Sequence, residues 1–352
     1  MPRPIAFYVH HHGGGHANRT RLLADHLPTT TPVHAFTSSP DRFIGWDRGI
    51  VHPLPPDVDP DRDPAADLLV DQVLHYAPLD LPCLQERMAK LAGWITRERP
   101  AWFIVDLSVE IALFIRLCGV RVALVRLHGH REDPAHLAAF RLADRLLAPF
   151  PPELEDAHTP AWVRAKTTYL GTFSRFDERR ETREACRRLL HLDEDRKVVT
   201  VINGLGGGAR EPAYWERAAR ANHDWYFLLV GKVVPTGTEL PNLRVVGLVD
   251  DTFPYLRAAD VVVGSGGTNT MMEIGAVRVP FVSQPEPRPF DEQECKMEAL
   301  QRLGLTEIAR SATAPAEWGR ILDRALRQDV SGWEGLGGGG SLAAKLADLF
   351  AR

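Results

Sequence analysis

Residues 261–280 read VVVGSGGTNTMMEIGAVRVP, and this stretch decides the fold. Val261 to Val263 is an apolar run without alternation, as expected of a strand buried on both faces. Gly264, Ser265, Gly266 and Gly267 break the run, and Thr270 to Ala276 suits a helix. Glycines let backbone N–H groups approach an anion, and a helix start adds unsatisfied donors and the positive end of its dipole. A phosphate belongs at such a turn. Glu273, one turn beyond Thr270, is near enough to accept hydrogen bonds from a ribose diol. The competing reading is a plain strand-to-helix turn, with Thr268 or Thr270 as a cap and Glu273 as its capping-box partner.

Working outward, similar short runs recur between helical stretches: Ile5 to Val9, Trp102 to Val105, Val120 to Val125, Val198 to Ile202, Trp225 to Val230, Leu243 to Val246 and Val279 to Ser283. A further strand lies near Val33 to Phe36. Asn18 to Leu27 and Ala213 to Ala221 suit helices. The repeat of strand, loop and helix implies α/β architecture with doubly wound parallel sheets, whose ligands sit at the carboxyl ends of strands. A chain of 352 residues, 44% apolar, exceeds one ordinary core, so two domains are expected. We place them at 1–175 and 197–335, joined by a charged linker at 176–196, with a C-terminal segment, 336–352, whose helix Leu342 to Phe350 packs back on the first domain. The Pro- and Asp-rich stretch from His52 to Pro64 reads as a long loop.

Lys and Arg total 42 against 46 Asp and Glu, for a net charge of −4. That balance leaves no cationic surface for tracking nucleic acid, so no nucleic-acid partner is expected. Cys83, Cys118, Cys186 and Cys295 are too dispersed for a CxxC pair and too few for a disulfide scaffold. No apolar run reaches the roughly 18 residues of a membrane span, and no secretion signal opens the chain. The expectation is a cytoplasmic protein with no transmembrane segment, docking on the inner membrane face remaining open.

Two other glycine clusters follow the first strand of each half: Gly13, Gly14 and Gly15, then Gly204, Gly206, Gly207 and Gly208. Gly204, Gly206 and Ala209 fit a GxGxxA dinucleotide fingerprint, but neither following strand ends in an acid for a ribose hydroxyl, which weakens a nicotinamide cofactor. His16 lies beyond the first glycines at the mouth of a helix, and Asp106 ends a buried strand at the same sheet edge. A histidine held against a carboxylate keeps the tautomer of a general base, so Asp106 is expected to orient His16. The alternative makes both residues helix caps. A metal held by His10, His11 and His12 is disfavoured, because alternate strand residues point to opposite faces. Asp57, Asp59, Asp61 and Asp63 lack the Gly and distant Glu of a calcium loop and read as a solvated turn. Asp291, Glu292 and Gln293 offer carboxylate and amide groups to a polyhydroxy ligand, or else form the acidic first turn of a solvated helix.

GSGGTNTMMEIG followed by a Pro and then DEQ resembles the donor-binding signature of the GT-B glycosyltransferases, in particular the UDP-glycosyltransferase and MurG-like, family 28 C-terminal, enzymes. HHGGGHANR resembles their N-terminal glycine loop, and WFIVDLSVEIALFIRLCGVRVALV the segment in which an Asp precedes a helix and a second strand. The resemblance runs from about Ile5 to Leu305. It implies two Rossmann-like domains facing a central cleft, and an inverting, metal-independent transfer of a sugar from UDP or dTDP to a hydroxyl acceptor, with no cofactor. Gly266, Gly267, Thr268, Asn269 and Thr270 would hold the diphosphate, Glu273 the ribose, the backbone near Val249 the base, and Asp291 with Gln293 the sugar. Gly204 and Gly206 would lie on the donor side, and Gly13, Gly14 and Gly15 on the acceptor side. His16 with Asp106 would be base and orienting acid. The partners implied are a nucleotide-sugar donor and a small-molecule or lipid-linked acceptor. Alternatives are a nonhydrolysing sugar-nucleotide epimerase, a non-catalytic sugar-nucleotide-binding scaffold and, third, a dehydrogenase. Three positions depart from the pattern: Arg278 stands for a frequent Gly, Lys296 for an Asn and Ser265 for a His.

Overall fold

The computed structural model describes residues 2–11, 14–58, 73–204, 210–234, 237–336 and 341–350. Packing divides the chain into one unit of Met1–Phe150, Ala157–Gly171 and Gly339–Arg352, and a second of Pro151–Asp156 and Thr172–Gly338. Each is built on one parallel sheet.

The first unit contains β1 (Ile5–Val9), β2 (Val33–Thr37), β3 (Ile50–Pro53), β4 (Trp102–Asp106), β5 (Arg121–Val125), β6 (Arg145–Ala148) and β7 (Thr167–Tyr169), ordered β3-β2-β1-β4-β5-β6-β7. Its helices include α1 (Gly15–Asp25), α2 (Pro82–Glu98), α3 (Val109–Leu117), α4 (Pro134–Leu142) and α5 (Ala161–Lys166). β1 and β4 are buried along their whole length, as central strands covered on both faces must be. Phe36, Trp94 and Phe103 interlock within the core beside the α3 residues Ile111 and Ile115. Strand order reverses between β1 and β4, and Val9 pairs with Asp106 in register. The chain therefore leaves both strands at one point of the carboxyl edge, where such sheets bind ligands.

The second unit contains β8 (Lys197–Asn203), β9 (Trp225–Gly231), β10 (Leu243–Gly247), β11 (Val261–Gly264), β12 (Phe281–Ser283) and β13 (Glu307–Ile308), ordered β10-β9-β8-β11-β12-β13. Its helices are α6 (Arg183–Leu189), α7 (Pro212–Ala221), α8 (Phe253–Ala258), α9 (Thr268–Val277), α10 (Glu292–Arg302) and α11 (Trp318–Ala325) among the described residues. Trp215, Trp225 and Trp318 are fully buried in its core. The order again reverses beside the first strand, between β8 and β11. Gly231 ends β9 at φ +102°, where a Cβ would lie 2.0 Å from the Asn203 carbonyl, so only glycine fits there.

The charged stretch 176–196 folds within this second unit. Its Arg187 is fully buried, donating to Asp260 Oδ2 at 2.7 Å and to the carbonyls of Ala258, Asp193, Glu194 and Arg196. The last helix, α12 (Leu342–Phe350), belongs to the first unit. It buries Leu342, Leu346 and Leu349 and sets the Phe350 ring 5.4 Å from that of Trp102.

Two expectations need correction. The loop assigned to His52 to Pro64 begins two residues too early, because His52 and Pro53 end β3. Proline is tolerated there because β3 is an edge strand and Pro53 is its last residue. Asp57 is not merely part of a solvated turn: it lies 3.4 Å from His11 Nδ1 and 3.5 Å from the buried Arg87 guanidinium. Asp59, Asp61 and Asp63 fall outside the described residues.

Candidate active site

The first unit brings His16 and Asp106 together. His16 occupies the first turn of α1, which opens without a capping side chain, and its Nδ1 lies 3.0 Å from Asp106 Oδ1. Neither residue serves as a simple cap, since Ser108, not Asp106, caps α3. Leu107, the next residue, has φ +138°, a strained conformation for a branched side chain and a sign that the turn after Asp106 is held in place by its surroundings.

A third member went unseen in the sequence. Arg19, buried and one turn along α1, donates from Nε to Asp106 Oδ2 and from Nη2 to Oδ1, both at 2.8 Å. Burial alone would raise the Asp106 pKa, but the Arg19 charge and the His16 contact outweigh it and hold this carboxyl well below the usual range. The signal was legible: Arg19 follows His16 at the i, i+3 spacing that puts two side chains on one helix face. Arg19 Nη2 also comes within 3.0 Å of His16 Nδ1. Arginine only donates, and an ionised carboxylate only accepts. Nδ1 thus faces an acceptor and a donor at the same distance; in the tautomer that donates from Nδ1 to Asp106, Arg19 Nη2 bonds to Asp106 Oδ1 instead and Nε2 carries the ring's lone pair, the arrangement a general base requires.

His10 and His11 lie beyond the end of β1, so strand alternation does not separate them; their rings stack at 4.6 Å, and His10 is 5.6 Å from His16. The argument used against a metal there therefore does not apply. His12 and Gly13 fall outside the described residues. Gly14 is the residue before α1, and Gly15 its first.

Among the described residues, two groups bring three ligand atoms within 4.8 Å: His10, His11 and Asp57, and His75, Asp133 and His136. In the second, Arg131 Nη1 lies 3.0 Å from His136 Nε2, which must accept, so the proton sits on Nδ1 facing Asp133 Oδ2 at 2.5 Å. That nitrogen has no lone pair for a metal. Burial, together with the Arg131 charge, pushes the His136 pKa down to about 4. In the first group, Arg87 already balances Asp57.

The second unit assembles the other candidates. α9 begins after Gly267 with no side-chain cap, and its first helical bond runs from Met271 N to Gly267 O at 2.9 Å. The capping-box alternative therefore fails. Thr268 instead accepts from Lys296, and Glu273 accepts from Arg175 Nε at 2.8 Å. Burial raises the Glu273 pKa, and Arg175 opposes the rise.

Gly266 and Gly267 serve different ends. A Cβ on Gly266 would fall 3.0 Å from Gln293 Cβ and 3.1 Å from Met297 Cγ, so Gly266 is needed to seat α10. One on Gly267 would meet nothing closer than 3.7 Å, leaving that face open. Gln293 is buried, its Oε1 accepting from Gly266 N at 3.0 Å and Glu286 N at 2.8 Å, so its carbonyl is committed to the scaffold. Asp291 is exposed, and with Phe290 it adopts positive φ, so the turn into α10 is strained at two successive residues. Val249 packs partly buried against Val198, Leu228 and Val230. Gly204 is exposed after β8, and Gly206 falls outside the described residues. Arg175 and Lys296 were not among the expected site residues.

Residues 230–329 match the glycosyltransferase family 28 C-terminal domain. An uncharacterised glycosyltransferase of Methanosarcina mazei is 32% identical over 124 residues, 34% of this chain and 32% of that protein, so the match spans about a third of that relative's length. The UDP-N-acetylglucosamine–N-acetylmuramyl-(pentapeptide) pyrophosphoryl-undecaprenol N-acetylglucosamine transferase of Sorangium cellulosum is 27% identical over 297 residues, 72% of this chain and 70% of that one. The crystal structure of the kitacinnamycin glycotransferase superposes with a TM-score of 0.71 at 16% identity, covering 100% of this chain and 99% of the other. The fold is GT-B. In this GT-B chain the family 28 match contains Val249, the β11–α9 turn, Glu273, Asp291, Gln293 and Lys296, while His16 and Asp106 lie in the other unit. No helix among the described residues is long and apolar enough to cross a membrane.

Proposed function

We propose that this chain is an inverting, metal-independent glycosyltransferase that moves a sugar from UDP or dTDP to a hydroxyl acceptor. The observation that carries the reading is the β11–α9 turn, a helix opening without a side-chain cap behind glycines and within the family 28 match. Such a helix end supplies positive potential and backbone donors to a diphosphate, which a cation would otherwise supply. Glu273 would take the ribose hydroxyls, Val249 would line the base, and Asp291 with the Gln293 amide group would meet the sugar.

In the first unit, His16 Nε2 would take the acceptor hydroxyl proton as that oxygen bonds to the anomeric carbon. The bond from that carbon to the diphosphate oxygen breaks in the same displacement, and its electron pair leaves with the nucleotide. Asp106 would stabilise the imidazolium, with Arg19 fixing the carboxylate in place. The Sorangium relative is named for a UDP-sugar donor and a lipid-linked acceptor, which supports UDP as the first donor to try.

The test is a panel of UDP- and dTDP-sugars with varied hydroxyl acceptors, run with and without EDTA, product configuration being read by NMR. Transfer with inverted anomeric configuration and unchanged rate in EDTA is expected. Conversion of donor alone into an epimer, or nucleotide binding without transfer to any acceptor, would replace this reading with an epimerase or a binding scaffold.

A further inference from the structure

Lys296 stands on α10 with its side chain fully buried, which is rare for lysine unless partners surround it. Its ammonium donates to the Gly266 carbonyl at 2.9 Å, to the Thr268 hydroxyl at 2.8 Å and to Glu292 Oε1 at 3.1 Å. Two of those three acceptors belong to the turn that opens α9. We propose that Lys296 is the positioning residue through which this site selects its ligand by phosphate charge, favouring a nucleoside diphosphate over the nucleoside. The proposal rests on the donor-site reading above and adds a residue to it.

The charge arrangement is the first argument. A buried cation beside the start of α9 adds to the positive end of that helix, an unfavourable pairing when nothing anionic lies near. Glu292 supplies one carboxylate and cancels the ammonium, so the helix end stays positive. A diphosphate at the turn would bring its negative charge to that positive helix end.

The second argument is directional. Thr268 Oγ1 accepts from Lys296, so the Thr268 hydroxyl hydrogen must point elsewhere, toward another acceptor. The Gly266 carbonyl is likewise turned onto Lys296, and in a trans peptide the Gly267 N–H points the opposite way. Lys296 thus leaves one hydroxyl hydrogen and one amide donor of the turn to a phosphate, and its charge strengthens the hydroxyl bond. An Asn, the residue that the sequence pattern leads one to expect here, would bring neither the charge nor the third donor.

The experiment is calorimetric titration of the full chain with uridine, UMP and UDP, and with the thymidine series, for wild type, Lys296→Gln, Lys296→Arg and Glu292→Gln. Lys296→Gln should weaken the diphosphate about 10- to 100-fold, the range of a charged hydrogen bond, while nucleoside affinity stays within about twofold. Lys296→Arg should recover most of the loss. Glu292→Gln should tighten the diphosphate several-fold, because the ammonium is then no longer neutralised; a merely structural lysine predicts no such gain. Equal weakening of nucleoside and diphosphate in Lys296→Gln, or none in either, overturns the proposal. If Lys296→Gln does not fold, Glu292→Gln decides alone, and unchanged or weaker diphosphate binding overturns the proposal. Wild type that binds neither UDP nor dTDP removes the donor-site reading and this inference together, whereas tight wild-type binding with an unaffected Lys296→Gln removes this inference only.

Discussion

Replacing Arg19 by Met separates two roles that the structure gives to one side chain. Arg19 is 3% exposed and Asp106 1%, and the pair is bidentate with both contacts at 2.8 Å. Removing one partner of such a buried pair leaves an uncompensated charge and costs about 3–5 kcal/mol, while replacing both by neutral groups of similar shape costs far less. Met fills much of the arginine volume, so packing loss contributes little to the difference. At about 2–4 °C per kcal/mol for a domain of about 150–250 residues, Arg19→Met should lower the first unit's melting temperature by roughly 6–20 °C. Adding Asp106→Asn should restore at least half of that loss, since no charge is then stranded. The double variant should still be catalytically weak, because the substituted amide would present His16 with a neutral partner in place of a carboxylate. Urea unfolding of the four proteins in the cycle measures the coupling, and turnover with the best donor and acceptor pair measures the second role. A destabilisation of Arg19→Met below about 1 kcal/mol, or strictly additive single losses, would refute the reasoning.

Other perturbations read other parts of the molecule. His16→Ala should lower turnover on the order of 100-fold or more and leave nucleotide affinity nearly unchanged, as single-turnover kinetics and titration would report. Arg278 caps α9 at φ +57°, so Arg278→Gly should relieve left-handed strain and raise stability by about 0.5–1 kcal/mol in thermal melts, despite the loss of the exposed Glu334 pair. Gly266→Ala should push α10 from its seat and weaken diphosphate binding, whereas Gly267→Ala should leave the melting temperature within a few degrees. His136 is held neutral by burial and by Arg131, with its pKa near 4 against 6.5 when unfolded. The unfolded chain binds this proton first, so the stabilisation is complete above about pH 6.5 and falls as pH drops toward 4, by about 2 kcal/mol between pH 7 and 5. His34 and His52, lowered chiefly by burial, act in the same sense, so His136→Asn should reduce but not abolish the acid slope of the melting temperature.

What the sequence made legible follows from how far each element depends on local pattern. β1 and β11 were readable because central parallel strands are covered on both faces and show up as unbroken apolar runs. β3, β7 and β13 lie at sheet edges, are two to four residues long and include exposed or half-buried positions, so TTY or EI carries no burial signal. β6 is different: RLLA is largely buried, yet four residues beside an apolar helix offer no period to distinguish a strand from a helix end. Once the sheet order is known, His16 and Asp106 must meet, because the reversal between β1 and β4 brings both strand ends to one edge. The pair could therefore be proposed from the strand pattern alone.

The partners of those residues are a different matter. Arg19, Arg175 and Lys296 are cations in sequence contexts that read as solvated helix or linker, and composition counts each as one more surface charge. What fixes them is a specific acid or carbonyl far along the chain: Asp106 lies 87 residues from the buried Arg19, Glu273 lies 98 from the exposed Arg175, and Gly266 lies 30 from the buried Lys296. Burying an arginine or lysine is favourable only when such acceptors converge on it, and no window of sequence records that convergence. Chemistry that needs one residue of a given type at a strand end can thus be read early. The electrostatic setting that tunes it, here three cations each tied to a residue proposed for base, ribose or phosphate, emerges only from packing, and it is there that substitutions such as Lys296 for Asn acquire a physical meaning.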